Sequence, residues 1–91
     1  MAVTILIPTV LRPYTGDKSS VSIEGKTVGD TLKQLVEKYP KLRTHVFTDN
    51  GKLRSFVNVF VNEDDIRQNG DMKAPVKNGD EVSIVPSIAG G

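Results

Sequence analysis

One stretch of this chain, residues 27 to 40, carries a sustained helical period. Val28, Leu32, Leu35, Val36 and Tyr39 recur at the spacing that lines up one apolar stripe. Thr27 is placed to cap the first turn, and Asp30 falls where a carboxylate meets the exposed first-turn amides. The pair is a variant of the capping box, which prefers Glu or Gln at that place. Pro40 ends the helix. A single amphipathic helix has one face to bury, so any strands in the chain must share it.

The strands are read from alternation. Residues 3 to 7 place Val3, Ile5 and Ile7 on one face, and residues 20 to 24 do the same with Val21 and Ile23. Pro8 and the run Arg12-Pro13-Tyr14-Thr15-Gly16 predict a loop between them. Leu42, Val46 and Phe47 lie in a connecting stretch that suits a short helical turn. Residues 56 to 61, Phe-Val-Asn-Val-Phe-Val, form a clear strand. Asn62 to Asp65 turns the chain, and Ile66-Arg67 is expected to return as a short strand. Asn50-Gly51, Asn69-Gly70 and Asn78-Gly79 mark further turns, and Val82 to Pro86 is the last strand. One helix cannot cover two sheet faces. The expected fold is therefore α+β: a single mixed sheet of four to five strands, one main helix across one side, and residues 87–91 as an extended tail.

Composition narrows the function. The 91 residues suit one domain, with no composition shift that marks a linker. A formal net charge of +1 gives no global field toward nucleic acid or an anionic membrane, and no apolar run approaches a membrane span. The start, Met1 to Ile7, alternates like a strand and lacks the pattern of a secretory peptide. With these features and no cysteine, the cytoplasm is the expected location. The lack of cysteine also excludes a thiolate nucleophile and a disulfide. His45 is the only histidine, so no metal site is expected and a half-exposed structural role is. Glu63-Asp64-Asp65 lacks calcium-loop spacing and reads as a solvated turn. Arg12, Arg43, Lys52 and Arg54 read as solvated surface charge in preference to a guide for an acidic partner.

The chemistry is expected at the end of the chain, Ala89-Gly90-Gly91. At an average glycine usage of about 7%, two terminal glycines arise by chance in roughly 0.5% of chains, which argues against an incidental tail. Glycine has no side chain, so an extended Gly-Gly can enter a narrow cleft and bring its carboxylate to bound ATP. A carboxylate is inert toward nucleophiles at neutral pH. Adenylation gives it a leaving group, and a sulfur donor can then convert it to a thiocarboxylate, an anionic sulfur nucleophile. The carrier supplies the reacting atom, and an activating enzyme supplies the catalytic groups.

This pattern resembles the β-grasp sulfur carriers, the ThiS/MoaD-like family with the ubiquitin fold. The resemblance covers essentially the whole chain. The stretches Ile7 to Gly16, Phe56 to Arg67 and Gly79 to Val82 look like the CysO branch, and Ala89-Gly90-Gly91 matches the tails of MoaD and CysO types. The resemblance implies a protein substrate and sulfur donor, not an enzyme. Gly91 would be adenylated and sulfurated by an E1-like, MoeB-type enzyme using ATP, with Ala89 and Gly90 threading its cleft. In the CysO pathway the thiocarboxylate attacks an aminoacrylate on a pyridoxal-phosphate (PLP) dependent cysteine synthase. A zinc metalloprotease of the JAMM type then releases cysteine from the tail. Other acceptors stay open: molybdopterin precursor, thiamin thiazole or a secondary metabolite such as a thiosugar. So does a ubiquitin-like modifier joined through Gly91 to lysines of target proteins.

The strand at 56 to 61 sets its own orientation. Asn58 in the helix-side core would need partners that the sequence does not name, so Val57, Val59 and Val61 are expected to face the helix. Phe60 then lies on the open face of the sheet, with Phe56 in line. The same alternation turns Val3, Ile5, Ile7, Val82 and Ile84 inward and Leu6 and Val85 outward. The expected docking patch for the activating enzyme is Leu6, Phe60 and Val85, joined by Ile88 of the tail.

Overall fold

The computed structural model describes residues 2–86. Among them the strands are β1 (Ala2–Leu6), β2 (Ser20–Glu24), β3 (Val57–Val61), β4 (Asp64–Asp65) and β5 (Glu81–Pro86), and the α-helices are α1 (Val28–Lys38) and the short α2 (Arg43–Val46). The five strands form one sheet in the order β2-β1-β5-β3-β4. β1 and β5 run parallel, with Leu6 opposite Ser83, and the other pairs are antiparallel. The parallel pair at the centre is what makes the sheet mixed, and α1 follows β2 and packs on one side.

α1 forms where the stripe predicts. The Thr27 side chain accepts a hydrogen bond from the Asp30 amide at 3.2 Å, and an Asp30 carboxylate oxygen accepts from the Lys26 amide at 3.4 Å. Two amides at the helix start are thus satisfied, but Asp30 reaches the amide of Lys26, one residue before the cap, and not the amide of Thr27 that the reciprocal bond of a capping box would take. Val28, Leu32, Leu35 and Val36 are buried, and Tyr39 packs partly buried at the C-terminal cap. They meet Val3, Ile5, Ile7, Val57, Val59, Val82 and Ile84, the inward residues of the three central strands, all buried. Asn58 takes the open face and Val57 and Val59 the core, as the cost of burying an unpartnered amide requires. Val61 faces the same way but is half-buried at the end of the strand.

Two segments differ from the sequence reading. The stretch expected as a loop after β1 contains a 3-10 helix, Thr9–Tyr14, which buries Leu11. Its Arg12 carbonyl accepts from the Thr15 and Asp17 amides at 3.0 and 2.8 Å. The buried Thr15 hydroxyl lies 3.2 Å from the carbonyls of Arg12 and Lys18. Local backbone bonds therefore hold a segment whose prolines suggested only a break. The returning strand lies at Asp64–Asp65 instead of Ile66-Arg67. Asp65 caps a 3-10 turn over Ile66–Gln68, its carboxylate accepting from the Arg67 amide at 2.9 Å. The turn carries Ile66 into the core, where it is 1% exposed.

Asn62 joins β3 to β5 at the far end of the sheet. It has φ 57, in the left-handed region where Asn is tolerated better than most residues. Its amide donates to the Glu81 carbonyl at 2.7 Å, its side-chain oxygen accepts from the Glu81 amide at 3.1 Å, and its Nδ2 donates to Asp80 at 3.3 Å. Asn62→Ala removes both side-chain bonds and leaves a less tolerant residue at positive φ. It is expected to lower stability by about 1–2 kcal/mol in urea unfolding, with an unchanged slope. A change within about 0.5 kcal/mol, the scatter of ordinary surface substitutions, would contradict this role.

Candidate functional site

The strand that leads to the tail leaves the sheet at a defined place. β5 is parallel to β1 and antiparallel to β3, so its last residue, Pro86, lies opposite Val57 where β3 begins. The same end of the sheet carries the exit of β1 and its 3-10 helix Thr9–Tyr14. The tail root therefore sits between the segment after β1 and the segment before β3. Ile88, Ala89, Gly90 and Gly91 lie outside the described residues.

On the open face, Leu6 pairs with Ser83 and Ser83 with Phe60, forming one row across β1, β5 and β3. All three side chains are half-buried, and Ser83 stands between the two apolar ones. Val85 lies nearer the tail root, opposite Asn58, and is 45% exposed. The three proposed docking residues thus share a face, but polar Ser83 and Asn58 divide them. The exposed large apolar residues among those described are Val10, Phe56 and Val85, and all three are at the tail-root end. Val10 was missed by sequence reasoning, since alternation says nothing about a side chain in a 3-10 helix.

Two arginines are pinned at that end. Arg12 Nε donates to the Ile7 carbonyl at 3.1 Å, and Arg54 Nε donates to the Thr44 carbonyl at 2.6 Å. The Arg54 guanidinium also stands 5.9 Å from the Phe56 ring centroid. His45 is half-buried and stacks on Tyr14, with ring centroids 4.5 Å apart. A ring held in a stack between α2 and the 3-10 helix has a packing role. Among the described residues no group of three or more His, Cys, Asp or Glu side chains could hold a metal ion. No helix there is long and apolar enough to cross a membrane. A cleft of about 440 Å³ lies on the other side of the molecule, lined by α1 and the segment around α2, including Lys33, Val36, Arg43 and Phe47. It does not include the open-face residues.

Comparison with known proteins agrees with the fold described above. Residues 5–91 match the ThiS family. The sulfur carrier protein CysO of Mycobacterium tuberculosis is 41% identical over 93 aligned residues, with all of both chains covered. In the crystal structure of the Amycolatopsis orientalis BexX/CysO complex, a chain superimposes with a TM-score of 0.88 at 38% identity, covering 98% of this chain and 99% of that one. The solution structure of small archaeal modifier protein 1 from Methanosarcina acetivorans superimposes with a TM-score of 0.90 at 27% identity, covering 99% and 96%. These relatives are small carriers and modifiers, not enzymes, and they share the mixed sheet and packed helix described above. With its whole length aligned to such proteins and its β-grasp fold in common with them, the chain belongs to the ThiS family of ubiquitin-like sulfur carriers.

Proposed function

We propose that this chain carries sulfur on the carboxylate of Gly91, most readily for cysteine synthesis. The observation that supports this most is full-length similarity to CysO, 41% identical, together with a chain that has no cysteine on which to carry sulfur otherwise. In the first step the Gly91 carboxylate attacks the α-phosphate of ATP and pyrophosphate leaves. Hydrosulfide supplied at an E1-like, MoeB-type enzyme then attacks the acyl carbonyl, AMP leaves, and a thiocarboxylate remains. Ala89 and Gly90 thread the enzyme's cleft, and the open sheet face with Leu6, Phe60, Val85 and Ile88 docks against its surface. ATP and PLP belong to the partner enzymes, and the carrier holds no cofactor of its own. The thiocarboxylate then donates sulfur to a PLP-dependent synthase, and a zinc metalloprotease completes release. The reading places the carrier in the cytoplasm, where ATP is abundant.

A second reading draws on the likeness to small archaeal modifier protein 1: a modifier joined through Gly91 to lysines. Both readings share the adenylation step and part after it. The thiocarboxylate form is to be mixed with a PLP-dependent cysteine synthase and an activated serine, and the unmodified chain separately with the activating enzyme, ATP and the cell proteins of its source. The carrier reading predicts that the chain gains one cysteine at Gly91. Lysines bearing a Gly-Gly remnant, with no cysteine adduct, would favour the modifier.

A further inference from the structure

The charge of this protein is close to balanced in sum but not in space. The tail-root end of the sheet bears Arg12, Lys18 and Arg54 with Asp17, and the segments between α1 and β3 that reach it add more cations, Lys41, Arg43 and Lys52, than anions, Glu37 and Asp49. The opposite end, where β2 stops, β3 turns into β4 and β5 starts, bears Glu24, Glu63, Asp64, Asp80 and Glu81. Lys26 and Lys77 stand among them and offset them in part. The five residues of β1 separate these ends by about 13 Å, more than the roughly 8 Å over which salt screens charge at physiological ionic strength. A partner approaching one pole therefore meets that pole and not the net charge. Arg12 and Arg54 are pinned through Nε, and neither bond uses the terminal nitrogens. Between and beside them are the exposed Val10, Phe56 and Val85.

We infer that the tail-root end is a docking surface for an acidic-rimmed apolar patch on the protein that receives the tail. Val10, Phe56 and Val85 form its apolar contact, and Arg12 and Arg54 its charged contact and steering element. This rests on the reading of Gly91 as the group handed to a partner, and it names the chemistry of the surface that must surround the partner's tail cleft. The geometry has a simple consequence. Steering by the positive pole presents the tail foremost, while the acidic pole is repelled, so encounters are orientated before contact. A pre-organised guanidinium also loses less side-chain entropy on pairing with a carboxylate than a free lysine does. The arginines that the sequence reading left as solvated charge thus gain a role from where the fold holds them.

The test uses the full chain and a purified adenylating enzyme of the class that loads ThiS-family tails. Association rates are measured by stopped flow for wild type, for R12E/R54E, and for K26E/K77E, which changes net charge equally at the far pole. At low salt R12E/R54E is expected to slow association roughly tenfold or more, while K26E/K77E changes it less than about threefold. At about 1 M salt, where screening acts over about 3 Å, the difference should shrink to near nothing. R12K/R54K, which keeps the charge, should retain most of the rate and separates steering from a fault in folding. Equal slowing by both reversal pairs, or no slowing by either, overturns the surface. Loading of Gly91 with sulfur is followed by intact mass in the same samples. Loading of wild type with no difference between the reversal pairs overturns the surface alone, and no loading at all overturns the carrier reading on which it rests.

Discussion

Deleting Gly91 is expected to abolish activation of the chain, with a fall of more than about a hundredfold in sulfur loading, and to leave the unfolding midpoint unchanged. The truncated chain still ends in glycine and still bears a carboxylate, so the chemistry of the group is the same. Its position is not. One extended residue spans about 3.3–3.6 Å, and the shortened tail presents its carboxylate that far from bound ATP. Misplacement by about 1 Å can cost a hundredfold in a reaction that depends on alignment, so this retraction is decisive. Stability should not follow. The core described above closes with Val82 and Ile84 of β5, which are 0% and 3% exposed, and the last sheet pair is Val57 with Pro86. Loading is measured by intact mass, stability by thermal unfolding. A deletion that unfolds the protein, or one that loads as wild type does, would contradict this assignment.

The opposite pattern is expected for Leu32→Ala. Leu32 is 0% exposed at the middle of the α1 stripe, where the helix covers the sheet. Truncation removes buried apolar surface and leaves a cavity between two rigid layers, which costs about 2–5 kcal/mol. Small domains have only about 5–15 kcal/mol in total, so this substitution takes a large share. At about 4–8 °C per kcal/mol for a domain of this size, the midpoint should fall by roughly 8–40 °C. Well below that midpoint, loading of Gly91 should proceed at close to the wild-type rate, because the tail and its root are untouched. A loss of stability below about 1 kcal/mol would mean that the helix–sheet seam is not where the stability resides.

How much of this was legible in the sequence depended on whether a segment has a period. β1, β3 and β5 alternate strictly, and each inward residue named from that alternation is buried, apart from the half-buried Val61. α1 followed from its stripe and cap. Leu11, Ile66, Ala74 and Val76 are also buried, yet they sit in 3-10 turns and connections where no two- or 3.6-residue repeat points inward. Tertiary packing alone selects them. The site divides the same way. Leu6, Phe60 and Val85 share the open face as alternation requires, but only the register shows that Ser83 falls between Leu6 and Phe60. The tail-root cluster joins residues 10, 12, 54, 56 and 85, which lie at one end of the sheet because β5 runs parallel to β1 and antiparallel to β3. Nothing local in the sequence records that pairing. Gly91, expected to carry the chemistry, and Ala89 and Gly90, expected to thread a cleft, are singled out by position and composition, and they lie outside the described residues.

The central claim concerns one atom, and one measurement addresses it. The purified chain is incubated with the adenylating enzyme, ATP and a sulfide source, and its intact mass is taken, followed by fragmentation from the C-terminus. The account predicts replacement of one oxygen by one sulfur, confined to the Gly91 carboxyl and dependent on ATP. An unchanged mass, or sulfur retained on any residue before Gly91, would contradict it.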